Sequence, residues 1–249
     1  MDKNLYTYTN PDSETWDEVA KLAYTMTIQT YEQNLAKDIL SLFYSCAIEE
    51  ASIIETGSGS GHLSAIFAQN NFKMALVDYS IEAIQKSKEL FQKLNLTADF
   101  FQADITNLNE TITKKYDIVF SSGVLEHFDD KDLLKILSES YTASNKYLIF
   151  LVPNPKSLPY LLFRMKAMKN GDWIYGKEYL RDNYEFFIKK AGFKLINKKY
   201  LGHGFSKDFM KYVFSDDKGI KHFNDLVDFN LIPDEEAYLT AYIAVKEEQ

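Results

Sequence analysis

A turn rich in glycine stands at Ile53-Ile54-Glu55-Thr56-Gly57-Ser58-Gly59-Ser60-Gly61-His62, and it carries most of the information about how this chain of 249 residues folds. An apolar run at residues 51–54 precedes it, and helical spacing over residues 61–70 follows it. Three glycines within five residues let a backbone turn sharply and approach a ligand closely. The start of the next helix offers unpaired N–H groups and the positive end of a helix dipole. The stretch therefore predicts a ligand site between a strand and a helix.

Three other kinds of glycine turn do not match this stretch. Counted from Gly57, a dinucleotide fingerprint Gly-x-Gly-x-x-Gly puts its third glycine at His62. The Gly-Lys-Ser/Thr ending of a phosphate-binding loop is absent. A nucleophile elbow needs a central serine, but Gly59 stands in the middle. What remains is Glu55 followed by Gly-x-Gly-x-Gly.

Short apolar runs alternate with helical patterns on both sides of this turn, which predicts a parallel sheet covered on both faces. The predicted fold is α/β, a Rossmann-like, doubly wound, seven-stranded and mostly parallel sheet with an N-terminal helical cap and a cap after the fifth strand. The predicted strands are 51–54, 73–78, 98–102, 116–121, 146–152, 193–201 and 238–245.

The regions outside the core are expected to cover it. Residues 14–48 have helical spacing, and residues 177–191 return to it. Pro153, Pro155 and Pro159 are expected to stop regular structure after the fifth strand, and residues 202–236 show no clear period. We expect one domain over residues 1–249, with a helical cap at 1–48, a cofactor-binding core at 49–153, and substrate-cap insertions at 154–176 and 202–237.

Three later segments carry polar residues at the ends of predicted strands. They are Leu76-Val77-Asp78-Tyr79, Phe101-Gln102-Ala103-Asp104-Ile105, and Tyr116 to Phe128, which ends in Leu125-Glu126-His127-Phe128. Together with the glycine turn, they resemble class I S-adenosylmethionine-dependent methyltransferases over residues 50–153. The last segment is similar to the small-molecule branch that includes quinone-biosynthesis methyltransferases.

The resemblance implies the cofactor S-adenosylmethionine, with S-adenosylhomocysteine as its product. It implies that Asp78 binds the ribose hydroxyls, that Tyr79 lies against the adenine, and that Asp104 contacts the adenine amino group. Ser121, Ser122 and Gly123 are expected near the methionine part. The full expected cofactor set is Glu55, Thr56, Gly57, Ser58, Gly59, Gly61, Asp78, Tyr79, Asp104, Ile105, Ser121, Ser122 and Gly123.

His127 is the candidate catalytic base, because an imidazole titrates near neutral pH. A structural role for His127 is an equally open alternative. Some relatives bind a divalent metal through Glu-x-x-Glu-His, but Gly123 replaces the first glutamate here. Glu126, His127 and His203 make a poor ligand set, so no metal is predicted.

The acceptor pocket is expected to be aromatic and built from the least regular parts of the chain. Its candidate residues are Tyr24, Tyr31, Trp173, Tyr175 and His203, with further aromatic side chains at Trp16, Tyr160, Phe163, Phe205, Phe209, Tyr212 and Phe214. Simple packing of the cap is the alternative for each aromatic residue. A local basic cluster, Lys156, Arg164, Lys166 and Lys169, suggests an anionic substrate or a solvated face.

Composition limits the class of protein. The net charge of −8 argues against a general nucleic-acid binder and against docking on anionic membranes. The single cysteine, Cys46, excludes an internal disulfide. Residues 1–10 lack the apolar core of a signal peptide, and the longest apolar run, 147–152, is too short to span a bilayer. A cytoplasmic location is therefore expected, and no oligomeric state is predicted.

The predicted function is methyl transfer from S-adenosylmethionine to a small-molecule acceptor of apolar or aromatic character, by in-line displacement. Because the donor is already activated, the protein mainly aligns the reactants and excludes water. A peptide or protein methyltransferase and a non-catalytic cofactor-binding accessory module are the alternatives. Glu55, Asp78 and Asp104 are all present, which disfavours the accessory module.

Overall fold

The computed structural model describes residues 13–229 and 231–247. Residues 1–10, which are expected to lack the apolar core of a signal peptide, lie outside these ranges. Within them, seven strands form one sheet in the order β3-β2-β1-β4-β5-β7-β6. The strands are β1 Ser52–Thr56, β2 Lys73–Asp78, β3 Ala98–Gln102, β4 Tyr116–Ser122, β5 Ser144–Pro153, β6 Phe193–Leu201 and β7 Leu239–Lys246.

The sheet is mostly parallel, as predicted. Strands β1 to β5 run in the same direction, and only β7 is antiparallel to both of its neighbours. The strand order reverses between β1 and β4, which is the switch point where doubly wound folds bind ligands. The glycine turn leaves β1 at this point.

Helices cover both faces of the sheet in the described ranges. They are α1 Ser13–Ala23, α2 Thr30–Ser45, α3 His62–Gln69, α4 Ile81–Lys93, α5 Leu108–Thr111, α6 Asp130–Ala143, α7 Leu158–Asn170, α8 Glu185–Lys190, α9 His203–Val213 and α10 Asp217–Asp228. Neighbouring strand residues point to opposite faces, so Ile53 packs in the cluster with Phe43 and Phe67, whereas Ile54 packs in the other with Leu133. Both faces are therefore apolar and buried.

The helical pattern over residues 14–48 contains two helices rather than one. The chain is extended at Gln29, whose N–H donates to the Glu32 carboxylate (2.7 Å) and so caps a new helix. The apolar spacing continues across this break because α1 buries Val19 and Ala20 and α2 buries Leu35. The intervening residues 24–29 form a loop, which places Tyr24 in the site described below.

The cap after β5 contains more helix than the sequence indicates. Pro159 stands in the first turn of α7, where a backbone N–H has no partner within the helix, so the N–H that proline lacks is not missed. Residues 202–236, which have no clear period, contain α9 and α10. Phe163 of α7 stacks on Phe209 of α9 with ring centroids 4.8 Å apart. The two helices therefore pack through aromatic side chains.

The helix predicted over residues 177–191 is confined to α8, Glu185–Lys190. The preceding segment is held by the residues after β4 instead. The Tyr179 N–H donates to the Glu126 carbonyl (2.6 Å), and the Arg181 guanidinium donates to the Phe128 carbonyl (2.8 Å). These contacts take the place of helical hydrogen bonds. None of the helices in the described ranges combines the length and apolar character needed to cross a membrane.

Candidate active site

The glycine turn adopts a backbone that requires glycine at its first position. Gly57 has φ +69°, and a Cβ there would lie 2.5 Å from Cγ2 of Val124. The N–H groups of Gly57 and Ser58 both donate to the Val77 carbonyl (2.8 and 3.0 Å). The turn is thus held against the end of β2, with its backbone in close contact with the segment after β4.

Asp78 organises the same corner through backbone hydrogen bonds. Its Oδ2 accepts from the Gly59 N–H (2.8 Å), and its Oδ1 accepts from the Ser80 N–H (2.9 Å). Burial raises the pKa of Asp78, while these backbone donors act in the opposite direction. Each carboxylate oxygen has two acceptor sites, so capacity remains for a further donor such as a hydroxyl group. Ser80 caps α4 by accepting from the Ala83 N–H, as its position predicts.

A cavity of about 420 Å³, called the cofactor cavity below, opens beside these residues. Its lining includes six residues expected for the cofactor, namely Gly57, Asp78, Tyr79, Asp104, Ile105 and Gly123. Tyr79 is 46% exposed and therefore leaves an aromatic face free. Asp104 also accepts from the Thr106 N–H (2.8 Å), so it has a turn role as well as its position in the cavity.

Glu55 lies fully inside the protein, behind the glycine turn. It accepts a hydrogen bond from the Ser64 hydroxyl, and burial, with a smaller contribution from the charge of Asp78, raises its pKa to about 8. Glu55 borders a second cavity together with Ser58, Gly59 and Ser122. It therefore carries a proton near neutral pH when nothing else neutralises it.

Three residues of the expected cofactor set border neither cavity. The Thr56 hydroxyl donates to the Phe120 carbonyl (3.3 Å), and Ser121 is buried in β4. A Cβ at Gly61 would lie 2.7 Å from Oγ of Ser87, so this glycine allows α3 and α4 to pack closely. These three residues make contacts inside the protein, next to the strands and helices that carry the turn.

The second cavity, called the acceptor cavity below, measures about 510 Å³. Four of the five expected substrate residues border it: Tyr24, Tyr31, Trp173 and Tyr175. Further aromatic walls come from Trp16, Tyr160, Phe163, Phe205, Phe209 and Tyr238. The residues come from α1 and the loop after it, α2, α7 and the segment after it, α9, and the residue before β7, so the walls belong to several parts of the chain.

His203 does not border either cavity, contrary to the expectation for this residue. It is the first residue of α9 rather than part of a loop, and its Nε2 lies 3.5 Å from Oδ1 of Asp234. The position follows from Gly202, which has φ +82° and turns the chain into α9. Tyr212 and Phe214 also lie away from the two cavities.

A shared wall separates the two cavities. Trp16, Tyr24, Gly57, Gly123 and His127 border both of them. The Trp16 ring lies edge-on to the His127 ring, with centroids 5.1 Å apart. A group in the acceptor cavity at this wall is therefore next to the glycine turn and to the end of β4.

His127 belongs to a buried polar cluster with Glu126 and Glu178. The His127 Nδ1 lies 2.9 Å from the Lys177 carbonyl, which makes Nδ1 the donor and leaves the Nε2 lone pair free. Burial, with the charge of Arg164, lowers the pKa of His127 to about 4, against a smaller opposing effect of the Lys177 contact. The imidazole is therefore neutral at pH 7.

Sequence reasoning missed Glu178, which the irregular segment before α8 brings into this cluster. Its carboxylate accepts from the Tyr160 hydroxyl (2.7 and 2.5 Å to the two oxygens) and lies 3.1 Å from Nε of Arg164. Burial raises the pKa of Glu178 and that of Glu126. The sequence places residue 178 in a predicted helix without a site role, so only the tertiary contact identifies it.

The local basic cluster does not form a common anion site. Lys156 pairs with Asp182 at the surface (3.2 Å), Arg164 pairs with Glu178, and Lys166 donates to the Tyr212 and Val213 carbonyls. These three cations therefore have separate partners within the chain.

Comparison with known proteins identifies the family. The family model described as "Methyltransferase domain" matches residues 49–192, more than half of the chain. The chain belongs to the methyltransferase domain family. This methyltransferase uses S-adenosylmethionine as its cofactor, and the match includes the glycine turn, Asp78, Asp104 and His127. Comparison with curated protein sequences gives no significant match.

Solved structures share the fold of the methyltransferase. Magnesium protoporphyrin IX methyltransferase from Synechocystis PCC 6803, with bound SAH, has a TM-score of 0.61 and 14% identity and covers 95% of each chain. An S-adenosylmethionine-dependent methyltransferase from Clostridium acetobutylicum ATCC 824 has a TM-score of 0.60 and 12% identity, covering 94% of this chain and 97% of that chain. Another from Aquifex aeolicus has a TM-score of 0.58 and 14% identity, covering 93% and 98%. At these identities, the likeness shows the fold.

Proposed function

We propose that this methyltransferase methylates a small molecule bound in the acceptor cavity. The observation that carries this proposal is the shared wall: an aromatic cavity and the cofactor cavity meet at Gly57, Gly123 and His127. A molecule that fills the acceptor cavity would present its reacting atom at this wall. Aromatic side chains on several sides suit an apolar or aromatic acceptor.

The residues of the cofactor cavity fit S-adenosylmethionine. Asp78 retains acceptor sites for two hydroxyl groups after its bonds to the backbone. Tyr79 has an exposed ring and Asp104 an exposed carboxylate at the same cavity. Gly57 lies so close to Val124 that only a residue without a side chain fits at this position of the turn. When bound, the cofactor supplies a methyl group on a positively charged sulfur.

The chain then has two tasks in the reaction: alignment and the exclusion of water. Trp16 and Tyr24 cover the junction of the cavities from the N-terminal side, and His127 closes it from the β4 side. The assignment of His127 as a base stays a prediction. Its neutral ring presents a free Nε2 lone pair, the state required of an acceptor of a proton or a hydrogen bond.

The residues around the acceptor cavity favour a small molecule over a peptide as the methyl acceptor. Tyr31 of α2, Phe163 of α7, and Phe205 and Phe209 of α9 face the same space. Phe163 and Phe209 stack on each other, and Tyr31 packs on Phe205 at 5.1 Å. These contacts join three cap helices around the cavity into one aromatic wall, which suits a compact acceptor better than an extended peptide. The expected cytoplasmic location and the absence of a nucleic-acid partner belong to the same proposal.

The test has two steps. Calorimetry with S-adenosylhomocysteine is expected to show micromolar-scale binding, and no binding would contradict the cofactor assignment. The protein is then incubated with S-adenosylmethionine and either a metabolite fraction below 1 kDa or a protein fraction, and S-adenosylhomocysteine formation is measured. Product with the metabolite fraction is the expected result. Product with the protein fraction alone would overturn the small-molecule proposal.

A matched pair of variants connects the acceptor to the cavity. Trp173→Ala removes an aromatic wall residue of the acceptor cavity that does not border the cofactor cavity. It should raise the KM for the acceptor about tenfold or more and leave the affinity for S-adenosylhomocysteine unchanged. Phe186→Ala, at a side chain that is 67% exposed on α8, is the control.

A further inference from the structure

Three ligand-type side chains converge at one end of the acceptor cavity. Glu126 and His127 come from the turn after β4, and Glu178 comes from the segment before α8. One ligand atom of each residue lies within 4.8 Å of the other two. His127 Nε2 lies 3.9 Å from Oε1 of Glu126. One ion could contact all three after small side-chain shifts, because metal–ligand bonds to nitrogen and oxygen are about 2.0–2.2 Å long.

The orientation of His127 is that of a metal-binding imidazole. Its Nδ1–H donates to the Lys177 carbonyl at 2.9 Å, which fixes the ring and directs the Nε2 lone pair into the cluster. Histidines that bind metals almost always donate their other N–H to a carbonyl or carboxylate in this way. The ring is therefore already arranged to supply one neutral nitrogen ligand.

Glu126 has a buried carboxylate oxygen without a hydrogen-bond partner among the described residues. The residue is 2% exposed, and this oxygen is Oε2. Buried polar atoms are nearly always paired, because an unpaired one loses its hydration without compensation. Glu126 borders the acceptor cavity, so a ligand that enters this cavity could contact its carboxylate.

The charges of the cluster match a divalent ion. Metal binding would displace the carboxyl protons of Glu126 and Glu178. The two carboxylates then carry two negative charges, and Arg164, 3.1 Å from Glu178, supplies one positive charge. A divalent cation would turn the remaining single negative charge into a single positive one. An anionic oxygen from a bound acceptor would then neutralise the cluster.

We propose that Glu126, His127 and Glu178 bind a divalent cation in the acceptor cavity. Two carboxylates and one imidazole suit Mn²⁺, Fe²⁺ or Zn²⁺ better than a thiolate-seeking ion. Three protein ligands leave coordination positions open for the acceptor. The sequence predicts no metal because Gly123 replaces a glutamate and His203 is an uncertain ligand. Glu178, which is distant in sequence, provides the third ligand instead.

The role of the ion rests on the proposed function and narrows the acceptor class. A cation in this cavity would bind a hydroxyl oxygen of an aromatic or apolar small molecule and lower its pKa. With its Nε2 bound to the ion, His127 would not act as a base. The O–H proton would therefore pass to solvent, and the oxygen would keep the electron pair and stay bound to the ion. The acceptor class is therefore a hydroxyl compound, such as a phenol.

The test is direct Mn²⁺ binding to the full chain after treatment with a chelator, without cofactor or acceptor. Free Mn²⁺ is counted by electron paramagnetic resonance during a titration. One Mn²⁺ per chain with micromolar-scale affinity is expected, and excess Zn²⁺ should displace it. Glu126→Gln and Glu178→Gln should each weaken Mn²⁺ binding at least tenfold. Glu185→Gln removes the same charge from the exposed start of α8 and should bind as the wild type does.

The affinity for S-adenosylhomocysteine, measured on every variant, shows whether the fold is retained. Glu178→Gln alters a buried ion pair, so Glu126→Gln provides the second, independent variant. The absence of saturable Mn²⁺ binding to a wild-type chain that binds S-adenosylhomocysteine would overturn the metal site and leave the methyltransferase function intact. Equal Mn²⁺ binding by the wild type and both variants would also overturn it.

Discussion

The backbone N–H of Gly59 donates to Oδ2 of Asp78 at 2.8 Å, which ties the glycine turn to the end of β2. The side chain expected to bind the ribose therefore also sets the conformation of the turn. Replacing Asp78 affects ligand contact and turn geometry together.

Asp78→Asn should weaken S-adenosylhomocysteine binding by about 10- to 100-fold, equivalent to about 1.4–2.8 kcal/mol. An amide presents one acceptor oxygen where the carboxylate presents two. Calorimetry measures the change. Asp99→Asn, at an exposed carboxylate of β3 paired with Lys114, is the matched control and should change affinity less than twofold. An Asp78→Asn protein that binds like the wild type would remove Asp78 from the cofactor site.

Gly57→Ala should reduce both thermal stability and cofactor affinity. The new Cβ would lie 2.5 Å from Val124 and would also impose a left-handed backbone on alanine, which alone costs about 1–2 kcal/mol. Gly171→Ala isolates this backbone cost, because Gly171 has φ +77° and a Cβ added there would meet no atom within 4 Å. The midpoint of thermal unfolding should therefore fall further for Gly57→Ala, and Val124→Ala should partly restore it. Equal losses at the two glycines would contradict the steric argument.

Trp16→Ala should open the shared wall of the two cavities. The ring packs on His127 and borders both cavities, so its loss exposes the junction to water. S-adenosylhomocysteine affinity should drop about tenfold by calorimetry. Leu22→Ala, on the same helix but 76% exposed, should leave the affinity unchanged. If both variants bind equally well, Trp16 is not part of the wall.

Glu55 should make the stability of the cofactor-free protein fall as the pH rises. Burial raises its pKa from 4.5 to about 8, so the folded chain keeps a proton that the unfolded chain loses between these values. The free energy of unfolding therefore falls through this window, by at most about 1.4 kcal/mol for each pH unit from this group. Urea unfolding at pH 5.5, 6.5 and 7.5 measures the slope.

Glu55→Gln should reduce that slope, because the amide does not titrate. Glu110→Gln, at an exposed residue of α5, should keep the wild-type slope. Identical slopes for the wild type and Glu55→Gln would show that Glu55 titrates at its ordinary pKa.

The sheet was predictable from the sequence because its signals are local. The central strands are short apolar runs, and the glycine turn and Asp78 lie at the carboxyl ends of such runs, where parallel strands bind ligands. The cap was less predictable. Helix α9 buries only Ser206 and Met210. Its Phe205 and Phe209 line the acceptor cavity, so its apolar side chains do not mark a core helix. Glu178 contacts Glu126 and His127 from an irregular segment, because the helix predicted over residues 177–191 is confined to α8.

The loop between α1 and α2 is anchored through its backbone. The Lys86 ammonium donates to the Ala20 and Tyr24 carbonyls (2.5 and 2.8 Å), Lys93 donates to the Met26 carbonyl (3.2 Å), and His62 contacts the Thr25 carbonyl (2.9 Å). All of these acceptors are main-chain carbonyl groups, which every residue type has. The loop can therefore exchange side chains during evolution without losing its anchors, and the side chain at Tyr24, which borders both cavities, can change while the fold is preserved.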